Sequence, residues 1–294
     1  MKVRIGVSLG SAGVPGEFSA AVDELERVGV DSLWLSEMVY GPLVDPFIGM
    51  AHALSRTTKL KVGTGVSVLP GRHPVLVAKQ LASLAGLAPG RVLPVFGLRP
   101  ARRNERDLFP VAAGQRAAVF DESLQLLRLL LRQDTVSFAG AFFTVQGASV
   151  GPLPAKPLDI WLGGTAPGAL QRIGRLADGW LASFITPQEA DAGRRAIEAA
   201  AAAAGREVEP DHYGISLAVA TEGIPAELIA AVRERRPDAD PASLMAASWP
   251  DARRMIEAYV AEGLSKFVVR PAGPLPPADR FLGQFVSEMM PLQT

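Results

Sequence analysis

The 294-residue chain carries 30 Lys and Arg against 30 Asp and Glu, a formal net charge of zero, with 48% hydrophobic and 20% charged residues. That balance excludes a broadly basic nucleic-acid binder and an intrinsically disordered chain. Cysteine is absent and histidine occurs at His52, His73 and His212 alone, so disulfides, thiolate clusters and a cysteine nucleophile are excluded and no metal site is expected.

Lys2 and Arg4 alternate with apolar residues, and Val3 to Leu9 is the first expected strand. A secretory signal would place its charges before an unbroken apolar run, and no segment reaches the roughly 18 apolar residues of a membrane helix. The expectation is a cytoplasmic protein with neither membrane nor nucleic-acid partners. A helix over Glu17 to Val28 follows, with Phe18, Ala21, Val22, Leu25 and Val28 at helical spacing and Gly29 as its stop. Next come strand Ser32 to Ser36, helix Pro46 to Leu54, and strand Lys59 to Leu69, whose apolar character suits burial on both faces. Helix Pro74 to Leu87, strand Val92 to Phe96, an arginine-rich loop and helix Gln115 to Arg132 complete the first half.

The alternation is then interrupted. Thr135 to Phe138 and Phe142 to Val145 flank Ala139-Gly140-Ala141 as a small hairpin, and a proline-rich connector runs from Gly151 to Pro157. Strand Leu158 to Leu162, a helix near Gly168 to Leu176, strand Gly179 to Ser183, helix Gln188 to Ala204 and strand Tyr213 to Ala220 resume it. Helices within Pro225 to Glu262, strand Lys266 to Val269 and helix Ala278 to Met289 close the chain. Repeated strand–helix units imply parallel strands covered by helices, and their number suits an α/β fold of the (β/α)8 TIM-barrel type, typically roughly 250 residues, with the hairpin inserted after the fourth helix. An open doubly wound sheet is the alternative. Residues 1–294 read as a single domain.

In such a barrel chemistry belongs at the exits of the strands. Here these include Ser36 to Tyr40, Gly65 to Arg72, Phe96 to Arg103, Gly163 to Thr165, Ala220 to Glu222 and Arg270 to Gly273. Gly163-Gly164-Thr165 would let backbone amides approach an anion at a helix N-terminus, or would be a glycine turn with Thr165 as a plain N-cap. Glu37 could hydrogen-bond a ligand or act as a general acid, or could be paired with a nearby arginine such as Arg72. Arg99, Arg102, Arg103 and Arg106 could form an anion funnel or a solvated charged loop. Trp34 and Trp161 are expected in the core, His52 on a helix face, His73 as a helix cap and His212 in a surface connector.

Several of these segments resemble, in order, the bacterial luciferase-like superfamily of flavin- or deazaflavin-dependent oxidoreductases, and within it the actinobacterial branch using coenzyme F420. They are Gly29-Val30-Asp31-Ser32-Leu33-Trp34-Leu35-Ser36-Glu37, Gly63-Thr64-Gly65-Val66 through Arg72-His73-Pro74, and Phe120-Asp121-Glu122-Ser123-Leu124. Ile160-Trp161-Leu162-Gly163-Gly164, Ala177-Asp178-Gly179-Trp180 and the final Gly263 to Pro271 strand also fit. The resemblance implies a cis peptide at Gly65-Val66 pressing on the middle of the cofactor ring. It also implies a cofactor-binding set of Ser36, Gly65, Val66, Ser67, Gly97, Leu98, Arg99, Gly163, Gly164 and Thr165, with Glu37 as the catalytic candidate; the segment Asp178-Gly179-Trp180 is expected to buttress the core near the cofactor.

Two departures stand out. Met38 occupies the place where the family often has histidine, and Arg99 stands where glycine is usual, so Arg99 either helps to hold an acidic cofactor tail or narrows the cleft. The function implied is hydride transfer between coenzyme F420 and a small organic substrate. One alternative is an FMN-dependent monooxygenase supplied with reduced flavin by a partner reductase. Another is a non-catalytic flavin-binding barrel. The resemblance also implies a homodimer.

Overall fold

The computed structural model describes residues 2–221, 223–273 and 278–294. Its first half runs β1 (Arg4–Val7), α1 (Pro15–Val28), β2 (Ser32–Leu35), α2 (Pro46–Arg56), β3 (Lys61–Thr64), β4 (Ser67–Val68), α3 (Pro74–Leu87), β5 (Val92–Leu93), β6 (Val95–Gly97) and α4 (Arg116–Leu130). The second half runs β7 (Val136–Ala139), β8 (Thr144–Ala148), β9 (Trp161–Gly163), α5 (Pro167–Leu176), β10 (Gly179–Ser183), α6 (Pro187–Ala203) and β11 (Tyr213–Val219). It ends with α7 (Ala226–Arg235), α8 (Pro241–Leu244), β12 (Met245–Ala246), α9 (Trp249–Ala261), β13 (Lys266–Pro271) and α10 (Ala278–Met289).

Parallel pairing follows the path β4-β6-β9-β10-β11-β13-β1-β2-β3-β5. The two ends of that path meet. β3 and β4 are successive pieces of one strand, β5 and β6 of the next, and the pairs β3–β5 and β4–β6 are two stretches of a single ladder. The sheet is therefore a closed barrel of the (β/α)8 kind, which leaves no long unpaired edge. The hairpin β7–β8 is antiparallel and follows α4. Both carboxylate oxygens of Glu122 accept hairpin amides at the turn, from Ala141, Phe142 and Phe143 at 2.7–2.8 Å.

The helices cover the barrel because their apolar stripes face it. In α1 the buried residues are Phe18, Ala21, Val22 and Leu25, and Gly29 ends the helix at φ 76°, a conformation glycine adopts without steric cost. Inside the barrel, Trp34, Val95, Trp161, Leu181 and Val268 form a second cluster contributed by five strands, so both tryptophans are core residues. The Trp34 indole donates to Ser32 Oγ at 2.9 Å, satisfying its polar edge.

Differences from the sequence expectation have local causes. The third strand is split at Gly65–Val66 and the fourth at Pro94, which has no N–H to give to a ladder. β12, which pairs with β11, was hidden by the short, irregular pattern between α8 and α9. His212, in the connector before β11, is half-buried. Its side chain is 16% exposed, its Nδ1 lies 2.7 Å from the Asp178 carbonyl, and its ring faces Trp161.

Candidate functional site

The third strand carries one more residue than its neighbour. Gly63 pairs with Leu93 and Ser67 with Phe96, so four steps along one strand match three along the other. The surplus is a bulge, and the Gly65–Val66 peptide within it is cis, at the expected position. Thr64 bridges the break with its side chain. Its hydroxyl donates to the Val95 carbonyl at 2.7 Å and accepts the Val95 N–H at 2.8 Å, while fully buried.

The exit of β2 clasps the bulge from the other side. Gly65 N–H donates to the Leu35 carbonyl at 2.8 Å, Ser36 Oγ donates to the Gly65 carbonyl at 3.1 Å, and Glu37 N–H donates to the Val66 carbonyl at 3.4 Å. Held this way, Val66 packs against the inner cluster and lies between two glycines. A Cβ on Gly97 would fall 2.7 Å from Val66 Cγ2, and one on Gly163 3.1 Å from Val66 Cγ1. Strand alternation places Ser36, Gly97, Gly163 and Ser183 two residues beyond Trp34, Val95, Trp161 and Leu181, on the same inward side. The C-terminal mouth is thus floored by a protruding valine and ringed largely by small side chains.

Glu37 sits at this exit with its side chain 3% exposed. Its Oε2 accepts the Val68 N–H at 2.8 Å and Arg72 Nη1 at 3.1 Å, and its Oε1 accepts Arg72 Nη2 at 2.7 Å. Of the two sequence readings, the geometry is that of pairing with Arg72. Arg72 also donates to the Val68 carbonyl and lies over the rings of Phe47 and Phe109, which ties its loop down. Ser67 is fully buried and its Oγ has no partner among the described residues.

Gly163 ends β9, and Gly164 follows with φ 115°, its carbonyl accepting the Trp180 indole N–H at 2.8 Å. Gly164 and Thr165 are exposed. The N-cap of α5 is Ala166, with no side-chain cap bond, so Thr165 is not the plain N-cap of the alternative reading. An exposed turn therefore leads directly into the N-terminus of a ten-residue helix, an arrangement suited to a phosphate.

At the fourth exit Gly97 is buried, Leu98 packs against the main core and Arg99 is exposed. The arginines here do not act alike. Arg102 is engaged by the Tyr40 carbonyl and lies 3.7 Å from the buried Glu105. Arg116, at the start of α4, has in sequence the pattern of a solvent-facing helix residue. Burial, then the charges of Arg99 and Arg106, push its pKa down. One terminal guanidinium nitrogen donates to the Phe109 carbonyl at 2.7 Å, and the other is buried without a partner among the described residues. Arg99, Arg106 and Arg116 therefore bring positive charge close together at this exit.

Asp178 precedes β10, at the end of the barrel away from the mouth. It accepts from Arg128 and Arg206 and from the Ile160 N–H, so it buttresses the base of the barrel, while Trp180 of the same segment reaches the Gly164 carbonyl at the mouth. His73 caps α3 as expected, Nδ1 accepting the Val75 N–H at 3.3 Å, and His52 meets Ser19 Oγ at 2.8 Å on the α2 face. Glu222, in the β11 exit, lies outside the described residues.

Comparison with known proteins agrees with this geometry. The family model described as luciferase-like monooxygenase matches residues 1–262. An uncharacterized protein of Mycobacterium tuberculosis is 35% identical over 150 residues, covering 51% of each chain. The F420-dependent glucose-6-phosphate dehydrogenase of Kineococcus radiotolerans is 28% identical over 177 residues, covering 57% of this chain and 52% of that one. The match thus spans about half the length of each of these relatives. Among solved structures, an F420-dependent secondary alcohol dehydrogenase in complex with an F420-acetone adduct superposes with a TM-score of 0.82 at 18% identity, over 100% of both chains. At that identity the likeness is one of fold.

Proposed function

The chain belongs to the luciferase-like monooxygenase family, and from that premise we propose that it is an oxidoreductase that binds coenzyme F420 and moves hydride between it and a small organic substrate. The observation that carries the proposal is the bulge that holds Val66 between Gly97 and Gly163 at a mouth of largely small side chains, a surface on which a flat ring system would rest. A Cβ on Gly97 or Gly163 would press on Val66 and displace it, so the residues present fit a flavin-like ring that rests on this valine.

Val66, Gly65, Gly97 and Gly163 would support the ring, and the amides of Gly164 and Thr165 with the α5 N-terminus would hold a phosphate. Arg99, Arg106 and Arg116 form a cationic exit suited to a further acidic tail, which favours F420 over FMN, as do the curated relatives named for F420. When bound, the deazaflavin supplies the hydride chemistry. Glu37 then acts as a positioning residue. Its two oxygens are committed to Arg72 and the Val68 amide, so it fixes the loop that carries the bulge and leaves proton transfer to another donor.

The second reading, a monooxygenase using FMN, oxygen and a partner reductase, is favoured by the activity in the family's description. Titration of the purified protein with F420 and with FMN, followed by fluorescence, decides between them. Micromolar F420 binding supports the proposal; micromolar FMN binding without F420 binding overturns it, and binding of neither overturns both cofactor readings. We also propose a homodimer, because Ile48 on α2 and Leu76 on α3 are 66% and 67% exposed; sedimentation velocity tests it.

A further inference from the structure

The rim of the mouth across from the Val66 bulge is built by β10, β11 and β13, with α7 packed on it through Leu228 and Val232 against Ala218 and Ala272. Arg270 stands two residues beyond Val268 on β13, so alternation turns it to the barrel axis, one layer nearer the mouth. Its guanidinium carbon lies 5.5 Å from the centroid of the Phe184 ring, and that of Arg235, at the end of α7, lies 4.9 Å from the same centroid.

Among the described residues neither arginine has a carboxylate within salt-bridge distance. The adjacent Arg236 is the contrast: it pairs with Glu189 at 2.6 Å and Asp238 at 2.9 Å and donates to the Phe184 carbonyl at 2.6 Å. Burial, then the charge of Arg235, disfavours the charged form of Arg270. Phe184 has φ 54°, the left-handed region that a bulky aromatic residue enters only where its surroundings enforce it. Two cations with no carboxylate partner among the described residues, gathered about a constrained ring, suit an added anion, and a guanidinium lying over an aromatic face keeps its N–H edge free for two parallel bonds to an oxyanion.

We propose that Arg270 and Arg235, spaced by the Phe184 ring, bind an oxyanion group of the substrate, a phosphate or a carboxylate, on the side of the mouth opposite Val66. Calling the ligand a substrate rests on the oxidoreductase proposal; the anion site itself does not.

The test uses the full chain labelled with phenylglyoxal in inorganic phosphate, in acetate and in sodium chloride of equal ionic strength, with adducts mapped by peptide mass spectrometry. The exposed Arg235 is the reporter. Phosphate or acetate should slow its labelling several-fold relative to chloride, and whichever anion protects more identifies the substrate group. Arg270→Met should abolish the protection and Arg270→Lys should keep part of it, whereas the exposed Arg195 should label equally throughout. Equal labelling of Arg235 in all three salts, or full protection retained in Arg270→Met, overturns the proposal. F420 binding measured on the same preparations separates the two proposals. Protection without F420 binding overturns the oxidoreductase alone, and F420 binding without protection overturns the anion site alone.

Discussion

Glu37 and Arg72 form a two-point pair, Oε1 to Nη2 at 2.7 Å and Oε2 to Nη1 at 3.1 Å, with the acid almost fully buried. Deleting one member of such a pair strands the other, and Glu37→Ala is expected to cost about 3 kcal/mol in urea unfolding. Glu37→Gln keeps an acceptor for the Val68 amide and separates positioning from acid catalysis. Its turnover should fall no more than about tenfold, with the pH profile unshifted. Loss of an acidic limb from that profile would restore Glu37 to a proton-transfer role.

Thr64 provides both hydrogen bonds that reconnect β3 with the strand beside it. The near-isosteric Thr64→Val leaves the Val95 N–H and carbonyl without that partner in a dry interior. The expected loss is about 2–4 kcal/mol, read by chemical denaturation, and an unchanged midpoint would show that the two strands do not depend on the hydroxyl.

Gly97→Ala places a methyl group 2.7 Å from Val66 Cγ2. The valine must move, at a cost of about 1–3 kcal/mol in overpacking, and F420 affinity should fall about tenfold while far-UV circular dichroism stays the same. Equal affinity in wild type and variant would remove Val66 from the ring-binding surface.

At the base of the barrel Asp31 accepts from Lys266 at 2.6 Å and Lys61 at 2.8 Å. Burial by itself would raise its pKa, but the two ammonium groups outweigh burial and hold it at about 2, below the ordinary 3.8. A carboxylate with a depressed folded pKa contributes stability that is complete above its unfolded pKa and is lost as pH falls toward the folded one. The stability gap between wild type and Asp31→Asn should therefore be flat above about pH 5 and shrink by about 2 kcal/mol on going down to about pH 2. A gap independent of pH would contradict the pairing.

Much of the barrel was legible because its signals are local. Gly29 stops α1, Pro74 opens α3 and Pro187 opens α6, and apolar spacing alone marks the helical faces between them. The bulge was placed by resemblance, and Gly97 and Gly163 were chosen with it; their packing against one valine is a three-dimensional fact that no single segment states. Arg116 and Arg270 were not assigned roles. Arg116 looks like any exposed residue in the first turn of a helix, and its character depends on Arg99 and Arg106 brought beside it by a loop. Arg270 did carry a signal, a charge in the inward phase of the apolar run Phe267-Val268-Val269. Its partners Phe184 and Arg235 lie far from it in the chain, and only folding makes them neighbours.

The surplus residue in the third strand has a genetic corollary. The protrusion at the mouth is written as a difference in length between two strands, four residues against three, and not as the identity of any one side chain. A codon change at position 66 alters what is presented there but leaves the protrusion in place, whereas loss of that codon would bring the ladder back into step and erase it. Substitutions therefore change or displace the side chain presented at the mouth, whereas a single in-frame deletion removes the protrusion itself.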